Sequence, residues 1–298
     1  MTEFILQFVR HFLLAVQFFT RIPITGKLAD WVGFSPAMLR ASAAHFPAVG
    51  LLLGAAAAAC YAACSALLPE SSYTPLVAAA LSTVLTVLLT GAFHEDGLAD
   101  VADGLGGSYD RQRALDIMKD SRVGAFGALA LVLAVLAKVA LLALLGSADV
   151  APGGWGDWSG LGDLSSSGSG QDAEPFSGWF AASALLAGHV VSRTLALLLI
   201  VWLPHVGDTV ASKSKPLADS IAPKTLFVAI LWCFMALALV LWAQAAIHLI
   251  VACSVALVAL LWMHSMFKRR LQGFTGDCLG ATQQVCEIAF YLGLAISL

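Results

Sequence analysis

Charged side chains are scarce in this chain of 298 residues: Asp, Glu, Lys and Arg make up 12% of it, whereas hydrophobic residues make up 59%. A soluble domain carries about 25% charged residues, so the shortage excludes an ordinary soluble protein. The composition instead predicts an all-α, polytopic helical bundle embedded in a lipid bilayer. The formal net charge of −3 leaves no excess of basic residues, so no nucleic-acid partner is expected.

The chain also lacks the cysteine spacing of a redox or zinc motif, because none of its six cysteines forms a CxxC pair. Cys60, Cys64, Cys233 and Cys253 lie in apolar runs, where Cys behaves as a small hydrophobic residue. We therefore expect neither a disulfide framework nor a zinc site. The N-terminus lacks the charged-then-apolar order of a cleaved signal peptide, since Arg10 falls inside its first apolar run.

Apolar runs of about the length of a membrane helix, roughly 17–25 residues, dominate what is present. They cover 45–68, 75–93, 123–146, 178–203, 224–243 and 246–266. Two further segments are ambiguous: 4–20 contains charged and polar residues, and 284–298 is short. We predict about seven transmembrane helices, and a single integral membrane catalytic domain over 1–298.

The basic residues are confined to alternate loops. Of the 16 Lys and Arg, 13 lie in four loops, which are 21–44, 94–122, 204–224 and 267–283. The intervening loops 69–74 and 147–177 contain none. Because cytoplasmic loops carry the excess of Lys and Arg, the four basic loops are predicted to face the cytoplasm. The Gly/Ser-rich segment 147–177 is predicted to be a flexible external loop.

Carboxylates crowd the segment from His94 to Gly127, between two apolar runs. On a helix, Asp96, Asp100 and Asp103 stand at i, i+4 and i+7, within about 60° of one another on one face. Carboxylates beside a bilayer are costly unless they hold a cation or line a pathway, and carboxylate oxygens suit Mg²⁺. The pattern therefore predicts a magnesium site, and a solvated acidic face is the alternative.

Several basic residues could meet a phosphate. Lys119 and Arg122 follow the carboxylates in the same loop, Arg offering a fork of donors and Lys a point charge. Arg193 lies within the apolar run 178–203, one turn after His189. An intramembrane Arg is a functional candidate, so Arg193 is predicted either to neutralise a phosphate or to pair with an Asp.

A second loop on the same predicted face, 271–281, surrounds Asp277 with Gly273, Gly276 and Gly280. A loop of this kind can offer phosphate contacts and one more metal ligand, although a plain helix connector would look similar. His94, just before the Asp series, could be a metal ligand, a general base or an ordinary interfacial histidine.

These residues favour metal-dependent transfer of a phosphoryl-linked group at the cytoplasmic membrane face, in which a base deprotonates an attacking hydroxyl. One alternative is an enzyme like the CDP-alcohol phosphotransferases, which also use spaced Asp residues. Their pattern requires AR after DG, and no AR follows at that distance here.

The other alternative is a transporter, which would place charges near mid-bilayer at broken helices. The carboxylates here cluster in loops on one side instead.

The run HEDGLADVADGLGG at 94–107, followed by RQRALDIMKDSRVGAFG at 111–127, closely resembles the signature of the cobalamin synthase family, the adenosylcobinamide-GDP ribazoletransferases. RIPIT at 21–25, HFPAVGLLLG at 45–54 and GFTGDCLGA at 273–281 resemble further stretches of that family in the same order. The resemblance therefore spans most of the chain. The segment 147–177 is not part of the pattern.

The resemblance implies that the chain joins α-ribazole, or its 5′-phosphate, to adenosylcobinamide-GDP and releases GMP, forming adenosylcobalamin or its 5′-phosphate. It also implies Mg²⁺ as cofactor and the bacterial inner membrane as location, while the oligomeric state stays open and a homo-oligomer is compatible with it. The implied metal ligands are Asp96, Asp100 and Asp103. The implied catalytic residues are Asp120 and Asp277, as ligands of a second metal or as the base, and His94 as the other candidate for the base. The implied phosphate-binding residues are Lys119, Arg122 and Arg193.

Overall fold

The computed structural model describes residues 2–148, 178–207, 221–241 and 244–298. Most of the predicted external loop 147–177 lies outside these ranges. The helices within them are α1 Thr2–Phe19, α2 Gly26–Val32, α3 Pro36–Ser42, α4 Phe46–Leu67, α5 Thr74–Thr90, α6 Phe93–Gly107, α7 Arg111–Met118, α8 Ala125–Ala148, α9 Trp179–Trp202, α10 Pro223–Val240, α11 Ala246–Arg270 and α12 Gly276–Ser297. The described residues form no strand beyond one isolated bridge between His205 and Phe274.

Six described helices are long and apolar enough to cross a membrane: α3 and α4 as one span over Pro36–Leu67, then α8, α9, α10, α11 and α12. A seventh span would need α5 and α6 together, across a bend of 89°. The predicted all-α polytopic bundle is confirmed. The apolar part of α1 is shorter, Ile5–Phe19, which fits the ambiguity of segment 4–20.

The predicted loop 267–283 is wrong in its bounds. Helix α11 continues to Arg270 and α12 already begins at Gly276, so the connection is only 271–275. The ambiguous segment 284–298 is the second half of the 22-residue helix α12. The basic residues at the end of α11 extend the helix beyond its apolar run, where cations interact favourably with the C-terminal carbonyls. Polar side chains of α12, which form hydrogen bonds inside the bundle, lower the mean hydropathy of this helix. The apolar pattern of the sequence therefore did not reveal its full length.

Local caps fix where the polar helices begin. The backbone N–H of Arg113 donates to Oδ1 of Asp110 at 2.8 Å, at the start of α7. The backbone N–H of Cys278 donates to Oγ1 of Thr275 at 3.4 Å, at the start of α12. Each cap satisfies a backbone donor that lacks an intrahelical partner.

The right angle between α5 and α6 comes from two consecutive left-handed residues. Gly91 has φ +66° and Ala92 has φ +59°. Gly91 also lacks space for a side chain, because an added Cβ would lie 2.9 Å from Cγ of Arg21. The backbone N–H of Arg21 in turn donates to the carbonyl of Leu89 at 2.6 Å. This turn directs the carboxylate-bearing helix α6 away from the axis of α5.

Helices α9 and α12 form the centre of the bundle. Their most apolar 18-residue stretches are 78% and 67% buried, whereas those of α8 and α10 are only 17% buried. Helices α8 and α10 therefore present most of their apolar surface outward, as lipid-facing helices do. Polar side chains on α9 and α12 must find their partners within the protein.

Glycines allow α4 to pack closely against α9. A Cβ at Gly54 would lie 2.9 Å from Cα of Leu186, and one at Gly50 would lie 2.9 Å from Cδ of Arg193. The two glycines are four residues apart on one face of α4, the spacing that brings membrane helices into backbone contact. This contact holds α4 beside the central helix.

Segments of three of the four basic loops meet at one end of the bundle. Arg111 Nε donates to the carbonyl of Leu271 at 2.6 Å, and Arg270 Nη2 donates to that of Ser108 at 2.7 Å. The N–H of Phe274 donates to the carbonyl of Pro204 at 3.0 Å. Loops 94–122 and 267–283 therefore share a face, as the sequence predicted.

We expect Gly54→Leu to lower the free energy of unfolding in detergent by about 1–3 kcal/mol, because the side chain would collide with the backbone of α9. Ala55→Leu, one residue along on the exposed face, is the control and should leave stability unchanged. Circular dichroism during denaturant titration would measure both. Equal stability of the two variants would contradict the packing described here.

Candidate active site

Helices α6 and α12 meet through glycines. A Cβ at Gly97 would lie 2.8 Å from the carbonyl oxygen of Asp277, and one at Gly280 would lie 3.2 Å from Cα of His94. Only glycine permits backbones to approach this closely without displacement. The contact brings the first turn of α12 beside the carboxylate face of α6, and it unites the two loops predicted to act together.

Asp100 is half-buried, and three carboxylates repel its charge: Asp277 most strongly, then Asp96 and Asp103. Thr275 Oγ1 donates to Oδ2 of Asp277 at 3.2 Å. We refer to Asp96, Asp100 and Asp277 as the carboxylate face. Repulsion among partly buried carboxylates disfavours the arrangement unless a cation neutralises it.

Asp103 has a structural task that the sequence did not reveal. Its Oδ2 accepts a hydrogen bond from the N–H of Gly124 at 2.7 Å, and its Oδ1 accepts one from the N–H of Gly127 at 2.8 Å. The carboxylate therefore caps the N-terminus of α8, where backbone donors and the helix dipole favour a negative charge. A Cβ at Gly124 would lie 2.5 Å from Oδ1, and one at Gly127 would collide with Oδ2. The absence of a side chain at both positions leaves room for this carboxylate.

The donor set of the carboxylate face suits Mg²⁺ only in part. Among the described residues, no three His, Cys, Asp or Glu side chains are placed to hold a metal ion by themselves. Mg²⁺, however, usually binds one or two carboxylates and completes its shell with water and substrate phosphates. The residues present fit that mode and not an all-protein cage. The Mg²⁺ site, including Asp103 as a ligand, stays a prediction.

Lys119 and Arg122, predicted to bind phosphate, each lie beside a carboxylate. Arg122 Nη2 is 2.5 Å from Oδ2 of Asp120, and Lys119 Nζ is 3.9 Å from Oδ1 of Asp116. Hydrogen bonds from Arg122 lower the pKa of Asp120 to about 2. A carboxylate with so low a pKa is a weak base, so the geometry favours Asp120 as an anchor for Arg122.

His94 lies on the inner side of α6, with only 1% of its surface exposed. Its ring stacks on Phe46 at a centroid distance of 5.7 Å and meets Phe93 edge-on at 5.4 Å. The three rings line a small aromatic cavity, which also borders Gly276 and Gly280 of α12. Nε2 of His94 is buried and has no hydrogen-bond partner within the described residues, so it remains available to a ligand or a proton.

Arg193 is not with the other two predicted phosphate ligands. It lies on the central helix α9 with 1% of its surface exposed. Its Nη1 donates to the carbonyl of His189 at 2.9 Å and to Nδ1 of the same residue at 3.0 Å. Because a guanidinium only donates, Nδ1 of His189 accepts this hydrogen bond and carries no proton. The contact of 3.4 Å between Nδ1 and Oε2 of Glu287 is therefore not an ion pair.

Sequence reasoning missed Glu287, which is fully buried on α12. Its Oε1 lies 2.5 Å from Nζ of Lys138 on α8 and accepts a hydrogen bond from the hydroxyl of Tyr291 at 3.0 Å. Its Oε2 accepts one from Nε2 of Gln283 at 2.5 Å. Glu287 is the one acidic residue in 278–298, and Lys138 is the one basic residue in 123–146. Isolated charges in two apolar runs are the signal that could have paired them.

A family model described as cobalamin-5-phosphate synthase matches residues 11–295 of the chain. A relative from a Polaromonas species, named adenosylcobinamide-GDP ribazoletransferase, is 67% identical over 98% of each chain. A relative of the same name from Polaromonas naphthalenivorans is 64% identical over 98% of this chain and 100% of its own. One from Albidiferax ferrireducens is 57% identical over 98% of this chain and 99% of its own. No solved structure matches the chain.

We expect Asp103→Leu to lower the free energy of unfolding by about 1–3 kcal/mol, because the part-buried N–H of Gly124 and the buried N–H of Gly127, at the start of α8, would lose their acceptor. Thermal unfolding in detergent would measure the loss, with exposed Asp116→Leu as control. The loss should be the same with and without Mg²⁺. A variant as stable as the control would show that the cap has no structural role.

We expect Glu287→Leu to cost about 3–5 kcal/mol of stability, because it leaves the Lys138 ammonium buried and uncompensated. The double variant Lys138→Met/Glu287→Leu should recover much of that loss, since it removes both charges. Denaturant titration of the two single variants and the double variant gives the coupling energy. Strictly additive losses would mean that the two side chains do not interact.

Proposed function

The chain belongs to the cobalamin-5-phosphate synthase family, and we propose that the carboxylate face between α6 and α12 is its catalytic centre. The chain joins α-ribazole, or its 5′-phosphate, to adenosylcobinamide-GDP and releases GMP, the reaction of the ribazoletransferases that it matches over almost its whole length. The observation that carries the placement is the convergence of Asp96, Asp100 and Asp277 from two distant parts of the sequence.

The reaction exchanges one bond to phosphorus for another. A hydroxyl of the ribazole attacks the phosphorus on the cobinamide side of the diphosphate, and the proton of that hydroxyl passes to a base. The bond between this phosphorus and the bridging oxygen breaks, and GMP departs with that oxygen. Phosphoryl-group transfer of this type depends mainly on positioning and on neutralising charge. The chain must therefore hold a diphosphate, which carries several negative charges, beside its own carboxylates.

We propose that one or two of the carboxylates of Asp96, Asp100 and Asp277 hold a divalent cation, together with phosphate oxygens and water. When bound, Mg²⁺ would neutralise charge that develops on the diphosphate. Asp103 supports this arrangement by fixing the start of α8 against α6. The mutual repulsion at Asp100 supports the assignment, since a cation converts that cost into a favourable interaction.

We propose His94 as the group that takes the proton from the attacking hydroxyl. Its buried Nε2 has no partner in the described part of the chain, whereas Asp120 is held as a weak base by Arg122. Lys119 and Arg122 lie in the loop that leads into α8, where they can contact oxygens of the diphosphate. Arg193 belongs to the buried charges around Glu287, and we assign it no contact with phosphate.

The basic-loop end of the bundle is proposed to face the cytoplasm of a bacterial cell, with the chain in the inner membrane. The support is the asymmetry of Lys and Arg, which favours the cytoplasmic side, together with hydrogen bonds that join these loops at the end where α6 and α12 meet. Cytoplasmic access suits a reaction whose donor is a guanosine diphosphate derivative.

We expect Asp100→Asn to lower kcat at least about 100-fold, equivalent to ~2.7 kcal/mol of transition-state stabilisation. Purified protein in lipid would receive adenosylcobinamide-GDP and α-ribazole, with and without Mg²⁺, and released GMP would be quantified. Asp30→Asn, an exposed Asp on α2, is the matched control and should keep full activity. Normal turnover by Asp100→Asn would remove the proposed cation site, and the failure of folded wild-type protein to release GMP would remove the reaction.

A further inference from the structure

A chain of hydrogen bonds leads from the membrane interior to the carboxylate-bearing helix. Gln283 Nε2 donates to Glu287 at 2.5 Å, Gln284 Nε2 donates to Oε1 of Gln283 at 3.0 Å, and Gln284 Nε2 also donates to Oε1 of Glu95 at 3.0 Å. We call these four residues the glutamine relay. It begins at the buried ion pair with Lys138 and ends on α6, one residue before Asp96.

The relay is buried at Glu287, Gln283 and Gln284 and partly buried at Glu95, and its charges are balanced. Glu287 and Glu95 are its two carboxylates, and Lys138 and Arg193 are the two cations whose charges act on them. Gln283 is fully buried and also donates to Oγ of Ser192 on α9 at 3.1 Å. Hydrogen bonds between polar groups in a region of low dielectric have well-defined geometry and are costly to leave unmade. The relay therefore resists rotation of the helices that it joins.

The position of Glu95 gives that resistance a consequence at the catalytic centre. Successive residues of a helix project about 100° apart, so α6 can direct Glu95 inward while it presents Asp96 outward. Gly97 brings the backbones of α6 and α12 together, and backbone contact at a glycine gives little restraint on the rotation of a helix about its axis. A directional side-chain bond from Gln284 to Glu95 can fix it.

We propose that Gln284 is a positioning residue, which sets the rotation of α6 and so directs Asp96 and Asp100 towards Asp277. The role of Glu287 is to anchor Gln283 and, through it, the amide of Gln284. The consequence for turnover depends on the proposed function, because it concerns the same carboxylate face. The rotational restraint itself is a property of the fold.

Tyr291 provides a control of matched depth. Its hydroxyl donates to the same carboxylate of Glu287 at 3.0 Å, and it is fully buried on the same helix. It lies off the path from Glu287 to Glu95, however. Loss of its hydrogen bond should therefore affect the stability of the interior without releasing α6.

The experiment compares Gln284→Leu with Tyr291→Phe in the full chain, reconstituted in lipid. Hydrogen–deuterium exchange of α6 peptides is the first measurement, and exchange of α4 peptides is the internal reference. Gln284→Leu should raise exchange in α6 at least fivefold and leave α4 unchanged, whereas Tyr291→Phe should change neither. Binding of Mn²⁺, followed by electron paramagnetic resonance, should weaken about tenfold in Gln284→Leu alone.

Turnover adds a reading that a purely structural role would not give. Gln284→Leu should lower kcat about 10- to 100-fold, as small misplacement of catalytic groups does, while KM for adenosylcobinamide-GDP changes less than twofold. Tyr291→Phe should keep kcat within twofold even though its melting temperature falls. Equal α6 exchange in the two variants, or a loss of kcat that follows melting temperature in both, would overturn the proposal. Inactive wild-type protein would contradict the proposed function alone, since the exchange measurement needs no reaction.

Discussion

The structure depends on one constraint, which is that a charge inside an apolar bundle must have its partner inside the bundle as well. Lys138 on α8 and Glu287 on α12 meet at 2.5 Å with both side chains almost completely buried. A lone charge of either sign would be strongly unfavourable there. The pair therefore joins a lipid-facing helix to a central one, and the polar side chains around it can organise the interior.

The carboxylate face lies on the border between that interior and the surface. Its helix α6 is held from within by the bond between Glu95 and Gln284 and from its far end by the cap that Asp103 gives to α8. The outward side of α6 is left with carboxylates that repel one another. A rigid frame around an electrostatically unsatisfied face is the arrangement that a cation-assisted reaction on a diphosphate requires.

Much of this could be predicted from patterns along the chain. The apolar runs gave five of the six spans in the described residues, while the run 75–93 is not a span by itself. The i, i+4, i+7 spacing gave the helix with Asp96, Asp100 and Asp103, and the residues around Asp277 pointed to the second half of the proposed site. The task of Asp103 could not be predicted, because a carboxylate that caps a helix over 20 residues away has the same local sequence as one that binds metal. Arg193 was placed with phosphate for a similar reason: sequence gives a charge but not its neighbour.

The sequence by itself determined the membrane location, the helical class, the grouping of basic loops and the family, because hydropathy, charge and long motifs are properties of residues in order. Only the tertiary structure decided which charges face each other. The pairing of Lys138 with Glu287 and of Glu95 with Gln284 joins positions nearly 150 or more residues apart. Such contacts arise from helix packing, where glycines such as Gly97 allow close approach, and no local pattern records them.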